Sequence, residues 1–296
     1  MLLAPGVVVK LSSRFCPLIA AVAIVSVCSG AEPDVEKLRT EAEKGNADSQ
    51  FALGLAYASG NGVAKDVVKA AELYRKAGER GNAKAMNNLG SCYSDGTGVE
   101  RDEAKAVEWY RKAAEKGASL AQDNLGSRYL EGRTLPKDVR SAEFWFRKAA
   151  EQDLLNAQIH LGKLYYFGDV DLPNNYEEAA KWIGKAATQG SSWAQNTLGS
   201  MYQEGLGVKP DLKKAFELYQ KSAQQGDAKA QSNLGFMYYQ GFGVQKDLVA
   251  AYKWLTLSSN QGEITAAKMR VEVEDRLKPE QIAQAKQQAE GFKAAN

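Results

Sequence analysis

From residue 45 onward the sequence repeats itself about every 36 residues, and a chain with that period has few folds open to it. Six blocks span 45–80, 81–116, 117–152, 153–189, 190–225 and 226–261, and a partial seventh starts at Gly262. The block starts Gly45, Gly81, Gly117, Asp153, Gly190 and Gly226 lie 36 residues apart, except for one interval of 37. A unit this short cannot bury an apolar face alone, so neighbours must stack and the molecule grows in one dimension.

The pattern inside each block spells a helical hairpin. Its first helix carries Leu-Gly at Leu53-Gly54, Leu89-Gly90, Leu125-Gly126, Leu161-Gly162, Leu198-Gly199 and Leu234-Gly235, with Tyr57, Tyr93, Tyr129, Tyr165, Tyr202 or Tyr238 three residues on. Apolar positions three and four apart mark one buried helical face. Glycine inside a helix costs about 1 kcal/mol against alanine, so its return at one position implies close backbone approach by a neighbouring helix. A Gly-x-Gly-Val turn follows at Gly60, Gly96, Gly205 and Gly241, then a capping residue, Asp66, Asp102, Asp138, Asn175, Asp211 or Asp247. Seven residues past each cap stands Leu73, Trp109, Trp145, Trp182, Leu218 or Trp254, expected to pack on small residues of adjacent helices. The predicted fold is all-α, an α/α solenoid of about six 36-residue helical-hairpin repeats with helical caps.

These motifs resemble the Sel1-like repeat family, a relative of the tetratricopeptide repeats. The likeness is clearest in Asn233-Leu234-Gly235-Phe236-Met237-Tyr238 followed by Gly241-Phe242-Gly243-Val244-Gln245-Lys246-Asp247, and it runs through residues 45 to 261. It implies a right-handed superhelix used as a non-catalytic scaffold that binds a protein or peptide. Cysteine-rich bacterial members of the family are linked to β-lactam binding or hydrolysis, which is the alternative function. Their paired cysteines are absent from these repeats, where Cys92 stands alone.

The two ends differ from the repeats. Residues 32–44 read as a leading half-repeat, with Val35, Leu38 and Ala42 on one face. Residues 262–296 read as a partial repeat and a capping helix that starts at Pro279. Before them, Lys10 and Arg14 precede the apolar run Cys16 to Val27, and Cys28-Ser29-Gly30-Ala31 offers small residues for cleavage. The run falls short of the roughly 20 residues a membrane span needs, so residues 1–31 read as a signal peptide, with an uncleaved anchor as the alternative. The expected location is periplasmic or secreted, with no integral membrane domain after cleavage.

The first helices line the concave side of such solenoids, and one stripe there is polar. Immediately before the repeat Leu stand Ala52, Asn88, Asn124, His160, Thr197 and Asn233; four residues earlier come Asp48, Lys84, Leu120, Asn156, Trp193 and Lys229. An Asn side chain both donates and accepts, so Asn88, Asn124, His160 and Asn233 suit the backbone of an extended peptide. Tetratricopeptide grooves resemble this arrangement. Lys84, Lys163 and Lys229 add attraction for an acidic group or a terminal carboxylate. The same positions also suit plain solvent-facing residues or bridges between adjacent helices. Blocks three and four depart from the turn pattern, at Gly132 to Pro136 and Gly168 to Pro173, near His160, Tyr165, Tyr166 and Phe167. Either a specialised central site or drift in exposed loops accounts for that.

Other chemistry finds little support. With Lys+Arg 38 against Asp+Glu 36 there is no basic excess of the kind nucleic acid calls for. A single histidine, His160, argues against metal clusters and against catalytic triads. The Gly-x-Gly turns lack the strand and the Lys-Ser/Thr of a phosphate loop, and no cofactor is expected. Arg75-Lys76, Arg111-Lys112 and Arg147-Lys148 read as a solvated ridge, with Glu72–Lys76 and Glu108–Lys112 as surface pairs.

Overall fold

The computed structural model describes residues 34–295, and the segment read as a signal peptide, 1–31, lies outside them. Among the described residues fifteen helices follow one another. A single helix, α1 (Val35–Glu43), leads. Six hairpins follow: α2 (Ala47–Ser59) with α3 (Val67–Glu79), α4 (Ala83–Asp95) with α5 (Glu103–Glu115), and α6 (Ser119–Glu131) with α7 (Val139–Ala150). Next come α8 (Leu155–Phe167) with α9 (Tyr176–Thr188), α10 (Ser192–Glu204) with α11 (Leu212–Gln224), and α12 (Ala228–Gln240) with α13 (Leu248–Asn260). Two helices end the array, α14 (Ile264–Glu274) and α15 (Pro279–Glu290). From α1 to α14 each helix packs on its neighbours in sequence, which makes the molecule an all-α repeat solenoid with one layer of first helices, A, and one of second helices, B.

Local chemistry sets the helix ends. Asp66, Asp102, Asp138, Asn175, Asp211 and Asp247 each accept the backbone N–H three residues on, at 3.0–3.1 Å, so every B helix of the six hairpins has a side-chain cap. The A helices end on Gly60, Gly96, Gly132, Gly205 and Gly241 in the left-handed region. The second turn glycine is a packing device. A Cβ on Gly98 would sit 2.0 Å from the carbonyl oxygen of Val67, at the start of the preceding B helix. Block three has Thr134 there, and an open groove lined by Val107, Arg111, Thr134 and Leu135 separates its turn from α5. In block four Asp169 and Leu172 pair with each other, Leu172 is buried, and Val170 is left 97% exposed at the tip.

The helical glycines do admit a close neighbour, but it is chiefly a side chain rather than the backbone expected. A Cβ on Gly90 would lie 2.7 Å from the Tyr110 ring, and one on Gly162 would lie 2.6 Å from Ile183. The residues that fill these sites are Tyr74, Tyr110, Phe146, Ile183, Tyr219 and Leu255, all buried. They follow by one the large residues expected to do the packing. Of those, Trp182 and Trp254 are buried, while Leu73, Trp109, Trp145 and Leu218 are half-buried at the edge of the B layer.

A buried glutamine column joins consecutive B helices. Gln50, Gln122, Gln158, Gln195 and Gln231 donate to the carbonyls of Ala42, Ala114, Ala150, Ala187 and Ala223, which lie in the last turns of preceding helices, at 2.9–3.4 Å. Each of these carbonyls also accepts the backbone N–H three residues on, at 3.0–3.1 Å, so the glutamine supplies a second bond to it. Four of these glutamines accept in turn from Gln152, Gln189, Gln225 or Gln261 at 2.8–2.9 Å. Block two has changed both members, to Met86 and Lys116.

The array stops at α14. Val271 stands where the other blocks have the helical glycine and is 54% exposed. In the six full hairpins a Cβ at that place would lie under 3 Å from a B-helix residue. The partial repeat forms no ordinary hairpin: α15 packs on α13. The tail behind it reaches back, with Phe292 against Trp254 at 5.4 Å between centroids and Ala295 donating to the Gln224 carbonyl at 2.8 Å.

Candidate interaction surface

The polar stripe of the A layer is a ladder. Asn124 Nδ2 donates to Asn87 Oδ1 at 3.0 Å, His160 Nδ1 lies 2.8 Å from Asp123 Oδ1, and Asn233 Nδ2 donates to Asn196 Oδ1 at 2.9 Å. Each rung joins one A helix to the next, from the residue before Leu to the residue two before Leu in the preceding block. The bridging role of these positions is therefore realised at Asn124, His160 and Asn233. Asn88 sits beside the first rung, its Oδ1 at 3.5 Å from Asn87 Nδ2. All four are half-buried, so a polar edge of each still faces outward.

The structure groups Asn88, Asn87 and Asn124 together and sets His160 with Asp123 one helix further on. Asn233 stands apart, because Ile159 and Thr197 interrupt the ladder between α8 and α10. Thr197 turns its hydroxyl onto its own helix, at 2.8 Å from the Trp193 carbonyl. Lys84, Lys163 and Lys229 are exposed but do not converge, since Lys84 on α4 and Lys229 on α12 have three A helices between them. Lys163 lies over the Trp193 indole at 4.9 Å. The partners Asn87, Asp123 and Asn196 escaped the sequence argument; their only trace is a polar column one residue before the stripe.

The ridge of the B layer is exposed except at Arg147, which is half-buried, and its arginines also bridge blocks. Arg75 and Arg111 reach the hydroxyls of Tyr93 and Tyr129 in the next block, at 3.0 and 3.3 Å, and Arg147 reaches Tyr165 in the same way. Burial and the neighbouring Glu143 carboxylate push the Tyr165 phenol above its usual range. Among the described residues neither Glu72–Lys76 nor Glu108–Lys112 closes as an ion pair; Lys112 lies instead over Trp109, 4.6 Å from the ring centroid. The aromatic run of block four also divides. Tyr165 joins Arg147, while Tyr166 stacks on Phe167 and Tyr176 at the turn edge, on a different side from His160.

Between blocks two and three, three positions that are mostly apolar elsewhere have become polar together. Arg128 donates to Ser94 at 2.9 Å and approaches Glu103 at 3.5 Å, where other blocks have residues such as Met201 and Val139. Cys92 is buried, and desolvation pushes its thiol up to about 11, which keeps it protonated and unreactive. Among the described residues no group of three or more His, Cys, Asp or Glu could hold a metal, and no helix is long and apolar enough to cross a membrane.

The geometry agrees with comparisons to known proteins. The Sel1 repeat model matches six times, over 47–82, 83–117, 119–154, 155–191, 194–227 and 228–263. A Sel1 repeat protein from Oxalobacter formigenes is 32% identical, over 80% of this chain and 68% of that one, with a TM-score of 0.61. The uropathogenic Escherichia coli antigen c5321, described as displaying an SLR fold, is 30% identical over 87% of this chain and 71% of its own, with a TM-score of 0.40. The immunity protein Pa5087 from Pseudomonas aeruginosa is 27% identical over 74% of this chain and 82% of its own, also with a TM-score of 0.40. No curated protein matches the sequence significantly. With six matching repeats over most of its length, and a ladder of A helices to go with them, this chain belongs to the Sel1 repeat family.

Proposed function

We propose that the chain is a non-catalytic scaffold of the bacterial cell envelope or its exterior, and that its A layer grips an extended segment of a partner protein. Sel1 repeats commonly mediate protein interactions and are typically non-enzymatic, which supports the class. One observation carries the choice of surface: the A layer presents a row of half-buried amides and an imidazole, flanked by exposed Lys84 and Leu120 and by half-buried Trp193. Half-buried polar groups held in place by rungs lose little entropy when a peptide pairs with them. Asn88, Asn124, His160 and Asn233 would supply hydrogen bonds, and Lys84, Lys163 and Lys229 positive charge. The location rests on the N-terminal segment alone.

The test is capture from an envelope extract with the chain from Glu32 onward. Because Asn124 and Asn233 also bridge repeats, the informative variant changes residues outside the rungs: Lys84→Ala, Leu120→Ser and Trp193→Ser together. A partner retained by the wild type and lost by a variant with unchanged helicity supports the A layer. Equal capture by both moves the site elsewhere on the solenoid.

A further inference from the structure

The A-layer ladder changes character once. Its rungs are amide pairs at Asn87–Asn124 and Asn196–Asn233, but the rung between α6 and α8 is Asp123–His160, at 2.8 Å. Both members have changed together, and the chain has no other histidine. One helical turn on, Lys163 stands where three other blocks have Ser91, Ser127 and Ser200. Its ammonium lies 4.9 Å from the centroid of Trp193, itself the one aromatic residue in its column. Three departures from the repeat thus meet on the outer face of α8 and α10.

The chemistry of the set is directional. The Asp123 side chain is 11% exposed and that of His160 37%. A carboxylate on Nδ1 requires that nitrogen to carry a proton, which leaves Nε2 as the outward edge. The groups facing the imidazole are Asp123 from α6 and, along its own helix, Lys163. From α7 the Phe146 ring packs against it, centroids 4.9 Å apart, and α9 meets α8 at Gly162 through Ile183. Desolvation, with no acidic partner contributing, holds the Lys163 ammonium below its ordinary value. Two potential cations therefore face outward, and the one carboxylate beside them sits behind the imidazole.

We propose that His160, Lys163 and Trp193, with Asp123 behind the imidazole, form a carboxylate-binding subsite that takes up one proton with its ligand. The proposal rests on the A layer being the binding surface and names the chemistry of one stretch of it. Neutral His160 accepts a proton from solvent at Nε2 and donates it as a hydrogen bond to the carboxylate, while Asp123 balances the imidazolium. No covalent bond forms or breaks. Lys163 adds a second positive charge one turn away, and the indole offers apolar surface beside it. The proton on Nε2 and the bound carboxylate favour each other, so affinity for the acid falls as pH rises.

The lone histidine is its own reporter. With the chain from Glu32 labelled on histidine with 15N, two probes at millimolar concentration separate the outcomes: acetyl-Ala-Phe with a free carboxylate, and its carboxamide. The acid is expected to move the His160 signals toward imidazolium and to raise the titration midpoint by about half a unit to one unit. The carboxamide should leave them unchanged. His160→Asn rebuilds the rung in the pattern of its neighbours, so the fold is retained, and it should lower affinity for the acid about tenfold near pH 6. No movement with the acid, or equal movement with both probes, overturns the subsite. Either result leaves the A-layer reading to be judged by capture, which does not depend on this probe.

Discussion

A methyl group is the smallest addition a glycine can receive, and in this fold its effect depends on what faces the site. A Cβ at Gly126 would meet the Phe146 ring at 2.8 Å and the Ala142 carbonyl at 3.2 Å, whereas at Gly184, inside α9, it would meet nothing within 4 Å. Alanine in a helix is worth about 1 kcal/mol over glycine, and overpacking costs about 1–3 kcal/mol. Gly126→Ala is therefore expected to destabilise by up to about 2 kcal/mol, and Gly184→Ala to stabilise by about 0.5–1 kcal/mol, in urea titrations of the two variants. Equal signs would mean that ring contact is not why the column holds glycine. The recurring Leu-Gly pair made a close approach legible from sequence. The occupant was not, because Trp109 and Tyr110 are both large and only their rotation of about 100° on the helix decides which one turns inward.

Helices in this array are tied end to end by side chains whose partners lie about 30 to 37 residues away, as in Gln152–Gln122 and Asn124–Asn87. The glutamine column shows how such ties constrain each other. Gln231 holds the Ala223 carbonyl and accepts from Gln261; that carbonyl keeps the Gly226 N–H and the exposed Gln261 keeps the Gly226 carbonyl, so Gln231→Met removes two side-chain hydrogen bonds and should cost about 1–2 kcal/mol. Gln261→Lys in that background recreates the Met86 and Lys116 of block two. The double variant is expected to be more stable than the sum of the two single losses by about 1 kcal/mol, measured as a double-mutant cycle. Strict additivity would show the pair to be uncoupled. The glutamine and asparagine columns could be read in the sequence; which residue each one meets could not, because that depends on how far one block is offset against the next. The departure at His160 was visible in the sequence and that at Asp123 was passed over, because only adjacent A helices make them a pair.

For the molecule as a whole, the repeated caps act in concert. A backbone amide holds Asp66, Asp102 and Asp211 below the usual carboxylate range, and the Ser141 hydroxyl does the same for Asp138. A depressed folded value gives stability that is present above the unfolded pKa of about 3.9 and is lost as pH falls through the folded one. The melting temperature should hold between pH 7 and 5 as far as these groups are concerned, then drop below about pH 4. Replacing all four by Asn, the cap that Asn175 already provides in block four, should flatten that drop while leaving the neutral-pH fold intact. An unchanged acid profile would place the acid-sensitive groups elsewhere. The arrest of the array at Val271 bears on how such a molecule changes over time. Because the array is closed locally, by α15 on α13 and by the tail against Trp254 and the Gln224 carbonyl, blocks can be duplicated or lost upstream without redesigning the terminus. The length of the A layer is then an inheritable count, adjustable in whole steps, while the closing piece travels unchanged from one version to the next.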